Sequence, residues 1–544
     1  MTEDHQRLTG AFYTPKGWAR EARKYLGRVL PGWKKDCLVY DPAAGRGALV
    51  AGPSFSDLIL TTLEHEDVPY LRKVQPGALV QQLDYLNDPL PTKVREKLEA
   101  AAKAGKRIVF LMNPPYGTSG VAGAKGESKA GIADTAVRES MREGKQGSAA
   151  KQLYAQFMYQ CVETARKLGF KKITVALFSN PKFMTSGSFR PLRKWWYDQF
   201  AFQGGFLFRA SHFEGLSDRW GISFTVWSEG TTSTSSELDL DILGEKKPGS
   251  KALYATDGKE ASKWVREPIK GLKGEDAPQM SSGLKVKEKG RGSLVPGALY
   301  FFGNNANNLQ DSGTLVYNVS SADTRNNGLS VTPANWRRAI ALFAARKLVK
   351  GTWINDKDEY LVPDEEADGY EQWVDDCHVY ALLHPSNNCT AMREVEYKGK
   401  TWRISNHFFW ITQEEALGAF RVAGTRALFQ DCQDHPAKDV FGNDVESTPD
   451  PYMASIIDGL NLSPVARDIL AKLDDLWLRS LPRREEYARA HPDLHLLAWD
   501  AGYYQLKNLW REEFPKREEE LQAAYRKLGE KLQPGVYDYG FLKG

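Results

Sequence analysis

Cysteine is scarce in this 544-residue chain: Cys37, Cys161, Cys377, Cys389 and Cys432 are all it has. A sparse, odd set excludes a disulfide framework and fits a reducing compartment. Cys377-His378, Cys389 and the Cys432/His435 pair follow no zinc-ligand spacing, so no metal centre is expected. Long hydrophobic runs are missing as well, with no apolar stretch reaching the roughly eighteen residues of a membrane span. The N-terminus, Met1-Thr2-Glu3-Asp4, lacks the apolar segment of a secretory signal, and a cytoplasmic location is expected. Charge of one sign is also in short supply, since 73 Lys and Arg against 69 Asp and Glu leave +4. That excludes a uniformly basic nucleic-acid binder and requires any basic surface to be local. Neither an internal repeat nor a convincing Asp…Glu-x-Lys nuclease cluster is present, and with the first motif near residue 10 no N-terminal nuclease is expected. What remains, 42% hydrophobic and 26% charged residues, is the composition of a globular chain of several domains.

The most informative stretch is Val109-Phe110-Leu111-Met112-Asn113-Pro114-Pro115-Tyr116-Gly117. Its apolar run predicts a buried strand, ended abruptly by two prolines that donate no backbone hydrogen bond and hold φ fixed. The Asn113 carboxamide oxygen and the Pro114 carbonyl then form a stiff pair of acceptors suited to an exocyclic amine. Tyr116 is placed to stack on the ring that bears it. Fixed acceptor dipoles stabilise positive charge developing on such an amine as it attacks. A strand that merely ends in a proline turn would read the same way in isolation.

Upstream segments supply context. Thr14 and Pro15 are expected to open a helix as N-cap and first residue, and the hydroxyls of Tyr13 and Thr14 at that N-terminus could hold a carboxylate. A short strand over 37–40 runs into Asp41-Pro42-Ala43-Ala44-Gly45-Arg46-Gly47, where Gly45 and Gly47 permit close approach of a ligand. Acidic Asp41 suits an ammonium better than a diphosphate. Val50 replaces the third glycine of a dinucleotide fingerprint, which favours a zwitterionic adenosyl cofactor over NAD. The strand over 58–63 ends at Glu64, spaced from the glycines as a ribose-binding carboxylate would be. Asp84 closes the segment 78–86, where it could accept an adenine amine.

Taken in order, Tyr13-Thr14-Pro15, the Asp41 to Gly47 loop, Glu64, Asp84 and Asn113-Pro114-Pro115-Tyr116 resemble the motifs of the gamma-class adenine-N6 DNA methyltransferases, over residues 10 to 230. The resemblance implies S-adenosylmethionine as cofactor and double-stranded DNA as partner, with the target adenine flipped from the helix and a restriction nuclease as a further partner. It also implies a Rossmann-like α/β domain with a mixed, mostly parallel seven-stranded sheet and helices on both faces. Catalysis would fall to Asn113, Pro114 and Tyr116. Cofactor contacts would come from Tyr13, Thr14, Asp41, Ala43, Gly45, Gly47, Glu64, Asp84 and Asn113. Phe157, in Leu-Tyr-x-x-Phe, would lie beside the cofactor adenine, and Phe213 would join Tyr116 against the extruded base. The same chemistry would serve an RNA base, cytosine N4 or a protein glutamine amide. The chain could equally be the modification subunit of a restriction–modification system with a separate nuclease.

Expected organisation follows from composition. Residues 1–230 read as the catalytic domain, with 117–150 as a Gly/Ser/Ala/Lys-rich mobile loop. Residues 231–293 read as a basic connector; within it, 245–291 hold 12 Lys or Arg and 7 Asp or Glu. Residues 294–462 read as an α+β domain, which the resemblance makes the DNA target-recognition domain. It includes the Asn-rich stretches 304–310 and 325–327 and the pair Asn387-Asn388, residue types able to read adenine or simply to form turns. Residues 463–544 read as an antiparallel helical end-piece.

Overall fold

The computed structural model describes residues 12–117, 135–230, 237–246, 249–280, 286–287, 293–303, 307–309, 313–320, 328–391, 394–423 and 452–544. The chain divides into two units, one of residues 1–258 with 351–359 and the other of residues 259–350 with 360–544.

In the first unit, nine strands form one sheet: β1 (Leu38–Asp41), β2 (Leu58–Thr62), β3 (Leu79–Gln82), β4 (Ile108–Met112), β5 (Ile173–Ser179), β6 (Phe200–Arg209), β7 (Gly221–Glu229), β8 (Glu237–Ile242) and β9 (Gly249–Tyr254). Their order is β3-β2-β1-β4-β5-β7-β6-β8-β9. The first five strands pair in parallel, and β7 enters antiparallel between β5 and β6. This is a Rossmann-like, mixed and mostly parallel sheet.

Strand periodicity explains why it is covered on both sides. In β4, Ile108, Phe110 and Met112 join one buried cluster while Val109 and Leu111 join another, and β5 divides its residues the same way. A run apolar at every position therefore marks a strand buried on both faces. Each such side chain contributes roughly 1.5–3 kcal/mol relative to exposure. On one face lies α1 (Lys16–Val29), burying Ala19, Ala22, Tyr25 and Leu26. The helix α2 (Asp67–Val74) adds Val68 and Leu71 to the same cluster. The opposite face is covered by α3 (Thr92–Lys103), α5 (Leu153–Lys167) and α6 (Arg190–Tyr197).

Two expected segments differ. Of the span 117–150, residues 118–134 lie outside the described part, but Ala136–Glu143 form helix α4, whose Val137 and Met141 are buried. Thr135 caps it by accepting the Arg138 N–H at 3.1 Å. The expected connector 231–293 is not one element either: β8 and β9 extend the sheet, because Leu238 and Leu240 turn inward between exposed carboxylates. The strand count rises from seven to nine. Residues 351–359 complete this unit, with buried Trp353 in its core and Asp358 accepting a 2.7 Å ion pair from Lys251.

The second unit is α+β. A three-stranded antiparallel sheet, Leu315–Tyr317, Tyr300–Gly303 and Leu329–Val331, shares a core with helices α7 (Trp336–Leu348), α8 (Tyr370–Leu383), α9 (Pro464–Ser480), α10 (Tyr503–Glu513) and α11 (Pro515–Leu532). The C-terminal helices α9, α10 and α11 pack into this unit's core. Fully buried Asp376 in α8 shows how they are tied in: it accepts from Ser463 N at 2.8 Å, just ahead of α9, and from Lys531 Nζ of α11 at 2.7 Å. Asn387 also turns inward, donating to the Ala381 carbonyl at 2.9 Å, whereas 304–306, 310 and 325–327 lie outside the described residues. No described helix is long and apolar enough to cross a membrane, and no metal-ligand cluster occurs among the described residues.

Candidate active site

Four neighbouring strands, β3, β2, β1 and β4, end on the same side of the sheet, and each carries a polar residue at or just beyond its tip: Asp84, Glu64, Asp41 and Asn113. Parallel pairing forces this alignment. At about 4.8 Å per strand, the row spans roughly 14 Å. A cavity of about 240 Å³ runs along it, lined among others by Tyr13, Thr14, Asp41, Ala43, Gly45, Glu64, Asp84, Asn113 and Phe157.

At the centre, Asp41 is 1% exposed and accepts the Ala43 N–H at 3.0 Å. Burial pushes its carboxyl up to about 8, against which that single N–H donor works. Gly45 has a φ of +50°, and a Cβ there would sit 3.4 Å from the Tyr13 ring. Arg46, also lining the cavity, lies over the rings of Tyr13 (5.2 Å) and Tyr70 (4.9 Å) and pairs with Asp67 at 3.5 Å. At the β3 end, Asp84 accepts from Leu86 N at 3.1 Å and Asn87 Nδ2 at 2.7 Å. Asn87 Oδ1 in turn accepts from Ala136 N at 3.1 Å, which brings Thr135 to the cavity wall. Phe157 stacks on Tyr85 with ring centroids 5.7 Å apart.

At the β4 end, the Asn113 carboxamide is fixed by three hydrogen bonds. Its Nδ2 donates to the Phe12 carbonyl at 2.9 Å and to Thr14 Oγ1 at 3.0 Å, and its Oδ1 accepts the Tyr116 hydroxyl at 2.8 Å. Thr14 is therefore not the cap of α1: that helix starts at Lys16 behind Pro15 with no side-chain cap. Burial raises the Tyr116 hydroxyl well above its ordinary range, so it remains a donor. Around Tyr116 stand Phe12 (centroids 6.3 Å apart) and the half-buried Trp220 (6.4 Å, edge-on).

Several expected site residues lie elsewhere. Pro114 is buried, and neither it nor Tyr116 lines the cavity. Gly47 does not face the cavity: a Cβ there would come within 2.9 Å of Leu71, so its place is set by packing against α2. Phe213, expected against an extruded base, is 0% exposed and packs on Phe178 and Phe208. A turn closed by Phe213 N donating to the Ala210 carbonyl directs it into the core. Arg46, Asn87, Thr135 and Trp220 are additions. Only Thr135 left a sequence signal, a hydroxyl residue ahead of the helical pair Val137 and Met141.

No protein-family model matches the sequence, and no curated protein matches it. Among solved structures the chain is similar to DrdV in a DrdV–DNA complex, at 14% identity over 44% of this chain and 28% of that one, with a TM-score of 0.31. It is similar to a Listeria monocytogenes protein assigned as a class I S-adenosylmethionine-dependent methyltransferase, at 12% identity over 45% of this chain and 68% of that one, with a TM-score of 0.31. A further likeness is to a modification subunit assigned to a type I restriction enzyme of Vibrio vulnificus YJ016, at 12% identity over 51% of this chain and 58% of that one, with a TM-score of 0.27. The chain thus spans less than a third of DrdV, and at these TM-scores the likenesses carry no argument about what it does.

Proposed function

We propose that the chain is an S-adenosylmethionine-dependent DNA methyltransferase acting on the exocyclic N6 amine of a flipped-out adenine. The observation that carries the reading is the Asn113 carboxamide. Both ends of its donor group are engaged, by Phe12 O and Thr14 Oγ1, so its oxygen is the end offered for recognition. An amide oxygen accepts from an amine and does not donate to it. The row of strand tips fits the cofactor. Buried Asp41, short of donors, suits an ammonium; Glu64 suits hydroxyls; the Asp84–Asn87 corner, with Phe157 nearby, suits an aminopurine.

When bound, S-adenosylmethionine supplies an electrophilic methyl group. Asn113 Oδ1 accepts a hydrogen bond from the substrate amine, drawing its lone pair out of conjugation and fixing its position. Tyr116 and Trp220 hold the ring that carries it, taking over the role expected of Phe213. Positive charge that develops on the amine is stabilised by the oriented amide dipole. No base is needed beforehand, because the methylated ammonium is acidic and its proton leaves to solvent. Target recognition is assigned to residues 294–350 and 360–462, within the second unit. A methyl-labelled cofactor incubated with the full chain and duplex DNA, followed by mapping of the modified base, tests the reading. Label in N6-methyladenine is expected; label in cytosine, RNA or protein glutamine alone, or no transfer, overturns it.

A further inference from the structure

We infer that Thr14, with the Phe12 carbonyl, is a positioning residue that sets which end of the Asn113 carboxamide faces the substrate. The inference rests on the reading of Asn113 as acceptor of an amine. A carboxamide is nearly symmetrical in shape, and a half-turn about its last bond exchanges acceptor for donor. With Nδ2 in the acceptor's place, an incoming amine would meet donor against donor.

The structure removes that ambiguity. A backbone carbonyl only accepts, so the 2.9 Å contact to Phe12 O fixes Nδ2 on that side. The Thr14 hydroxyl, able to donate or accept, takes the second amide proton at 3.0 Å. Oδ1 is left with the Tyr116 hydroxyl on one lone pair and the other available. A threonine at the N-cap ordinarily turns its hydroxyl back on its helix, but Pro15 occupies the cap of α1 and Thr14 precedes it. Here Thr14 is 8% exposed, α1 has no side-chain cap, and the hydroxyl instead reaches a residue 99 positions away.

The same short segment is anchored to the glycine loop. Tyr13, between the two Asn113 contacts, lies against Gly45 and beside Arg46, which is held in turn by Tyr70 and Asp67. Residues 12–14 therefore join the loop that lines the cavity to the amide that meets the substrate.

Thr14→Val and Thr14→Ser, in the full chain, separate this role from direct cofactor binding. Two quantities decide it: the dissociation constant of S-adenosylhomocysteine by calorimetry, and the single-turnover methylation rate on DNA at saturating cofactor. Thr14→Val is expected to slow the rate about tenfold while the dissociation constant moves less than about threefold, and Thr14→Ser to restore most of the rate. A weakened dissociation constant with the saturated rate retained would make Thr14 a cofactor ligand and overturn the inference; so would a valine variant matching the parent in both. A second readout needs neither DNA nor turnover. The Asn113 side-chain amide protons, assigned by their loss in Asn113→Asp, are expected to be protected from exchange in the parent and in Thr14→Ser, and exposed in Thr14→Val. Absent protection in the parent, or unchanged protection in the valine variant, overturns the inference. Should the parent chain fail to methylate DNA, the proposed function falls while the amide protons still report the geometry.

Discussion

Asp41 sets the site's dependence on pH. Its carboxyl, pushed up to about 8 by burial, stays protonated in the empty cavity near neutrality. A bound ammonium would hold it ionised, so cofactor binding releases a proton. Affinity is therefore expected to fall as pH drops from about 7.5 to about 5.5, approaching tenfold per unit, measurable by calorimetry in buffers of differing ionisation enthalpy. Stability of the empty unit runs the other way. The unfolded carboxyl ionises near 3.8 and the folded one near 8, so stability is lost as pH rises through that window. Asp41→Asn removes the penalty: it is expected to raise the melting temperature by roughly 5 °C and to abolish cofactor binding. Asn113→Ala is expected to do neither, leaving affinity intact while turnover disappears in a methyl-transfer assay.

At the scale of single elements, the loop between β6 and β7 carries one aromatic in the core and one beside Tyr116. Phe213 is core, and Phe213→Ala is expected to cost about 3–5 kcal/mol in chemical denaturation. Trp220 stands beside Tyr116, and Trp220→Ala is expected to raise the KM for DNA with a smaller loss of stability. Equal destabilisation by both, with unchanged KM, would count against that division. The loop also marks the limit of what the residues disclose. β4 is legible because an unbroken apolar run stopped by two prolines has few other solutions. Asp41, Glu64, Asp84 and Asn113 are legible as strand ends. Which aromatic stands beside Tyr116 is not, because a turn at Ala210–Phe213 directs Phe213 into the core. β8 was hidden by its setting: Leu238, Leu240 and Ile242 alternate as a strand should, inside a span dominated by lysine and glycine. Thr14 reads as a helix cap because a cap and a distant amide compete for one hydroxyl, and here the amide takes it.

Across the whole molecule the two units are expected to respond oppositely to acid. His378 is fully buried in α8 and His407 lies in the same unit; burial lowers both imidazoles to about 4. Their folded values lie below the ordinary 6.5, so the unfolded chain takes up protons first. Stability is complete above about 6.5 and falls as pH drops toward 4, by up to about 3 kcal/mol for each. Over the same interval acidification relieves the penalty that buried Asp41 imposes on the empty first unit. Acidification is thus expected to separate two unfolding transitions in calorimetry, and His378→Phe to reduce the shift of the lower one. The distribution of those units along the chain has a consequence for inheritance. Residues 351–359 belong to the first unit although they lie within the second, and Asp358 neutralises buried Lys251 from there. A lineage acquiring a new second unit by recombination cannot exchange everything beyond residue 258 as one cassette. A foreign tail without a carboxylate at that place would strand a buried ammonium, at a cost of about 3–5 kcal/mol. Nine residues of the old tail must be retained, or reinvented, each time the rest is replaced.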